Sequence, residues 1–111
     1  MTEIFLTEKI SNKIKQLRKA DNPEDQVLFK KIYLVVKQIE LGVFRKAKKV
    51  LNTENIFVIK VNNDCRLFYT IEKNKDNQEF ILLLDFVNKT NYKSDYYPDI
   101  IKEFNDYKDK R

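Results

Sequence analysis

Three apolar runs, Ile56–Val61, Cys65–Glu72 and Glu79–Phe86, follow one another with only Asn62-Asn63-Asp64 and Lys73–Gln78 between them. Rich in Ile, Val, Leu, Phe and Tyr and bounded by polar turn-formers, they predict three consecutive strands. Connections this short join antiparallel neighbours. A three-residue Asn62–Asp64 loop, with Asn or Asp in a left-handed position, sets Val61 opposite Cys65 and Lys60 opposite Arg66. A two-residue loop would instead bring Arg66 opposite Val61. In the first register Phe57, Ile59 and Val61 share a face with Cys65, Leu67, Tyr69 and Ile71, while Lys60 and Arg66 lie on the other.

Two cations side by side on neighbouring strands destabilise a sheet by a few tenths of a kcal/mol, up to about 1. A bound phosphate offsets that cost; so do solvent and acidic neighbours. Read from spacing alone, Lys60 and Arg66 are charges on a solvated strand face. By the same reading Lys89 and Lys93 solubilise a strand end, and Tyr92, Tyr96 and Tyr97 pack at the start of the last helix. Cys65 has no His or Asp partner in view and reads as an inert thiol.

Upstream, Glu3–Thr7 is a short strand, and Ile10, Ile14 and Leu17 place a helical stripe on Glu8–Lys19. Asn22 can cap a second helix, with Pro23 at its first position and Glu24 and Asp25 favouring its positive end. Its apolar stripe is Leu28, Ile32, Val35, Val36 and Ile39, and Gly42, the only glycine, suits a left-handed stop. Val43–Asn55 reads as a loop, a short helical turn, or both, and holds the densest basic cluster: Arg45, Lys46, Lys48 and Lys49. A last helix lies within Tyr96–Lys108. The expected fold is α+β, a single domain over residues 1–111 in the order β-α-α-β-β-β-α. About four mostly antiparallel strands would carry the helices on one face.

With 22 Lys and Arg against 17 Asp and Glu, the net charge of +5 favours polyanions or an acidic protein as partners. One cysteine and no histidine allow no intrachain disulfide and no zinc or His-based ligand spacing, so chemistry without metal or cofactor is expected. No apolar run reaches membrane-spanning length and Met1–Leu6 lacks the pattern of a signal peptide, so the expectation is a cytoplasmic protein with no membrane partner.

Taken together, the short strand before two helices, the linker GVFRKAKKVL, the strand IFVIKV, its return CRLFYTI and the segment FILLLDFVNKTNYK resemble the RelE/ParE superfamily of bacterial type II toxins, especially its RelE- and HigB-like members. The resemblance covers nearly the whole chain. It implies a microbial-ribonuclease-type fold and a metal-independent endoribonuclease that cleaves messenger RNA on the ribosome and inhibits translation. It also implies a cognate antitoxin protein as partner.

In the implied reaction a ribose 2′-hydroxyl attacks the adjacent phosphate, leaving a cyclic phosphate and a 5′-hydroxyl. Arg66 matches the family's phosphate-holding arginine. Lys60, beside that cation, would act as base. Lys89 would stabilise charge or protonate the leaving oxygen, and Tyr92 would stack on a base or share in proton transfer. Arg45, Lys46, Lys48, Lys49 and Lys93 would grip RNA phosphates. Val58, Asn88 and Cys65 depart from the family pattern: some RelE members carry a lysine at the first position, HigB-like chains often place the first of two lysines at the second, and a tyrosine or another large residue is usual at the third. Two other functions sit on the same fold: a ParE-like gyrase inhibitor without nuclease activity, and a catalytically silent RNA- or protein-binding relative.

Overall fold

The computed structural model describes residues 2–42, 47–50, 53, 55–88 and 97–109. The chain begins with strand β1 (Glu3–Leu6), which runs into helix α1 (Glu8–Lys19). Thr7 joins the two. Its Oγ1 accepts from the Ile10 backbone N–H at 3.3 Å, capping the helix, and donates to the Leu84 carbonyl at 2.8 Å. Helix α2 (Pro23–Glu40) starts as its sequence predicts. Asn22 Oδ1 accepts from the Asp25 N–H at 2.8 Å, and Asn22 Nδ2 donates back to the Asp25 carboxylate at 2.9 Å. It ends at Gly42, whose φ of +80° is the left-handed geometry expected there, with the Gly42 N–H donating to Ile39 O.

Strands β2 (Lys48–Lys49), β3 (Ile56–Lys60), β4 (Cys65–Lys73) and β5 (Glu79–Asn88) follow, and helix α3 (Pro98–Asp109) comes last. Among the described residues the sheet has five strands in the order β1-β5-β4-β3-β2, with β1 parallel to β5 and every other pair antiparallel. The α+β class and element order match the sequence reading. The strand count is one higher because Lys48 and Lys49, expected in a loop or helical turn, pair with Val58 and Phe57 at the sheet edge.

The sheet is buried on both sides, which corrects the expectation of helices on one face. Ile59, Cys65, Leu67, Tyr69, Ile81 and Leu83 pack beneath α1 and α2 against Ile10, Ile32, Val35 and Ile39. Ile56, Val58, Phe68, Leu82 and Leu84 meet Ile100 and Phe104 of α3 and Tyr97 on the opposite side. Strands buried on both faces read as continuous apolar runs, and ILLLDFV is one. Between Leu83 and Asp85 the β4–β5 register slips by one residue, leaving Leu84 without a partner opposite it. No helix among the described residues is long and apolar enough to cross a membrane.

Candidate functional site

The β3–β4 hairpin takes the three-residue-loop register. Val61 N–H donates to Cys65 O at 3.0 Å, and Lys60 stands opposite Arg66. The loop does so without a left-handed residue: among described non-glycine residues only Asn77, in the next turn, has positive φ. Asn62 supplies the turn instead, its Oδ1 accepting from the N–H groups of Asp64 at 2.8 Å and Cys65 at 2.7 Å.

That turn also holds the arginine. Arg66 Nη1 donates to the carbonyls of Asn62 at 2.8 Å, Cys65 at 3.2 Å and Asn63 at 3.4 Å, while Nη2 and Nε have no hydrogen-bond partner among the described residues. The half-buried guanidinium is therefore anchored by one nitrogen and presents the rest of its fork. Lys60 is exposed and makes no ion pair with a described residue. In-register antiparallel partners share a face with Cβ atoms about 5 Å apart, so the two cations sit together on the α3 side of the sheet. Lys48, opposite Val58, belongs to that face as well; Lys49, opposite Phe57, belongs to the other. Arg45, Lys46, Lys89, Tyr92 and Lys93 lie outside the described residues.

A second concavity, about 820 Å³, opens on the helix side between the start of α2 and the hairpin turn. Its walls include Lys13, Leu28, Cys65 and Phe86, with Glu24, Asp25 and Asp64 contributing acids. Those acids repel a polyanion, and the Lys13 ammonium is already engaged: Nζ lies 2.7 Å from Asp85 Oδ1, 2.6 Å from Phe86 O and 4.7 Å from the centre of the Phe86 ring. Burial pushes the Cys65 thiol up to about 11, outweighing the opposing pull of Lys13 and Arg66. The thiol is protonated at neutral pH, in keeping with its reading as inert.

Sequence reasoning missed the charge cluster behind that groove. Asp85 is 1% exposed, yet its carboxylate faces Lys13, Lys9 at 3.4 Å and the Phe86 N–H at 2.8 Å. The signal was a single carboxylate inside ILLLDFV, since a buried acid needs cationic and hydrogen-bonding partners.

No family model and no curated protein matches the chain. Solved structures do. A YoeB dimer from Staphylococcus aureus is 20% identical with a TM-score of 0.60, over 78% of this chain and 94% of that one. A YoeB/ParE toxin from Agrobacterium tumefaciens is 8% identical with a TM-score of 0.63, over 78% and 98%. The YoeB-YefM complex from Staphylococcus aureus gives 18%, 0.58, 78% and 95%. At these identities the likeness is one of fold, and it agrees with the fold that the RelE/ParE resemblance implies. The chain has the fold of the YoeB and YoeB/ParE toxins.

Proposed function

We propose that this chain is the toxin of a type II toxin–antitoxin system and acts as a metal-independent, ribosome-dependent messenger-RNA endoribonuclease. The observation that carries the reading is the Lys60–Arg66 pair, two neighbouring cations on one sheet face of a fold shared with YoeB toxins. A scissile phosphate accepts hydrogen bonds from the open side of the Arg66 fork, which stabilises the charge that builds on the phosphorane. Lys60 takes the 2′-hydroxyl proton as the oxygen attacks phosphorus. The bond from phosphorus to the 5′-oxygen breaks, Lys89 returns a proton to that oxygen, and Tyr92 stacks against a base. Lys48 and Lys49 on the edge strand, with Arg45, Lys46 and Lys93, contact RNA phosphates.

Likeness to YoeB in its complex with YefM supports an antitoxin as the controlling partner. A second reading, gyrase inhibition without nuclease activity, is favoured by likeness to the YoeB/ParE toxin of Agrobacterium tumefaciens. Induced expression followed by primer extension on a translated messenger separates the two. Growth arrest with new transcript ends that vanish in Arg66→Ala supports the nuclease. Arrest with intact transcripts moves the function to gyrase, and no arrest leaves a silent binding module.

A further inference from the structure

Helix α2 is apolar on two opposite sides. The inner stripe packs on the sheet; on the outer side Val27, Leu34 and Leu41 recur every seven residues and are 52%, 60% and 69% exposed. Seven residues are nearly two helical turns, so the three align in a seam about 20 Å long. A surface helix ordinarily carries polar residues on that side, and single exposed apolar residues are common; an aligned row of three is not.

The seam is bordered by cations. At 100° per residue Lys30 and Lys37 fall along one side of it and Lys31 along the other, all three exposed. Lys37 is 3.9 Å from Glu40 and sits 5.6 Å from the centre of the exposed Tyr33 ring. At its N-terminal end the seam runs into the 820 Å³ groove, since Val27 lines that groove as well.

Charge selects the occupant. Two copies of α2 paired antiparallel about Leu34 set Val27 against Leu41 of the other copy, and on the same side of the seam bring Lys30 toward Lys37 of the other copy. Parallel pairing sets Lys31 of one copy against Lys30 of the other. Both arrangements bring like charges together. An acidic helix meets no such conflict along Lys30, Lys31 and Lys37; the acids Glu24 and Asp25 lie before Val27, at the groove end of the seam.

We propose that the outer face of α2 docks an acidic amphipathic helix of a partner protein. Apolar residues of that helix lie along Val27, Leu34 and Leu41, and its Asp or Glu residues face Lys30, Lys31 and Lys37. The face is on the opposite side of the sheet from Lys60 and Arg66, so this proposal stands independently of the nuclease reading.

The test is selection from a displayed library of helical 20-residue peptides with apolar residues at heptad positions and flanking positions randomised among Glu, Lys and Gln. The full chain serves as bait and its Leu34→Lys variant as counter-selection. The expected result is an enriched pool with Glu at the flanking positions. Its peptides bind at least tenfold more weakly to Leu34→Lys and to Val27→Lys, and affinity falls as salt rises. Both substitutions are at exposed positions, and unchanged thermal melts establish that the variants are folded. Enrichment without charge preference, or no enrichment over the variant, overturns the proposal. So does self-association of the full chain that Leu34→Lys abolishes, which would assign the face to a second copy.

Discussion

The two faces of the sheet are covered in different ways. One lies beneath α1 and α2, a long helical hairpin whose stripe reaches from Ile10 to Ile39, and the buried acid of that side, Asp85, is met by Lys13 and Lys9. Among the described residues the other face is covered by a single helix, α3, whose contacts centre on Ile56, Phe68, Leu82 and Leu84. At the hairpin end of that second face Lys60 and Arg66 stand beside each other. On one side charge is neutralised within the fold; on the other, Lys60 and Arg66 have no acidic partner among the described residues. A buried charge left unpaired is costly, so a charge that is meant to bind must stay near solvent and be positioned by neutral groups. The hairpin carbonyls that hold Arg66 are such groups.

Adjacent residues of β4 probe this contrast directly, because Leu67 points to one face and Phe68 to the other, each fully buried. If α3 is as integral as the helical hairpin, Phe68→Ala costs about 3–5 kcal/mol and Leu67→Ala about 2–5 kcal/mol in urea unfolding. Phe68 also meets the Tyr97 ring edge-on at 4.6 Å. A loss under about 1 kcal/mol for Phe68→Ala would make α3 a loosely attached element.

Arg66→Ala is expected to lower RNA cleavage by about a hundredfold or more while shifting stability by less than about 1 kcal/mol. Equal loss of activity and stability would mean that the guanidinium serves the turn rather than a ligand. On the opposite face Lys13→Met should do the reverse, costing roughly 2–3 kcal/mol because Asp85 keeps only Lys9 and a backbone N–H. Its cleavage rate per folded molecule should not change.

The effect confined to alkaline solution concerns the Cys65 thiol. Folding raises the Cys65 thiol from 9.0 to about 11 through burial. A group whose folded value is raised stabilises the protein fully below the unfolded value and loses that contribution as pH climbs through the folded one. Stability should therefore fall between about pH 9 and 11, by roughly 2–3 kcal/mol at most from this group. Tyr69, raised to about 12 by burial, adds a further loss from about pH 10 upward. Cys65→Ala should remove the first part of the decline and keep the second, measured by urea midpoints at pH 8 and 10.5. An unaltered decline would assign it to other groups.

Much of the fold is legible in the chain's own chemistry. Alternation in IFVIK and CRLFYTI gives the faces, a three-residue Asn62–Asp64 loop gives the register that pairs Lys60 with Arg66, and Asn22, Pro23 and Gly42 mark the ends of α2. Local chemistry decides such features. The position of α3 depends instead on which face of a doubly apolar strand it chooses, and ILLLDFV gives no period-2 signal to decide that. The edge strand Lys48–Lys49 is hidden for a related reason: two lysines have little strand propensity, and only backbone pairing to β3 makes them one. The roles proposed for Lys89, Tyr92 and Lys93 rest on the family resemblance alone, since in sequence the lysines look like any strand-end charges and Tyr92 like a packing aromatic.

The place of β1 has a bearing on how the chain is born. Among the described strands its only partner is β5, and Thr7 bonds to Leu84 across a separation of 77 residues. During synthesis, at about 5–20 residues per second, the first strand and helix leave the ribosome seconds before their floor exists. Ile4 has no strand to pair with, and Ile10 only α2 to pack on, until Ile81 and Leu83 emerge. A segment made well before its partner strand is thus among the last to reach its native place, and a chain cut short within the Lys73–Gln78 turn carries the hairpin cations on a sheet that lacks β5.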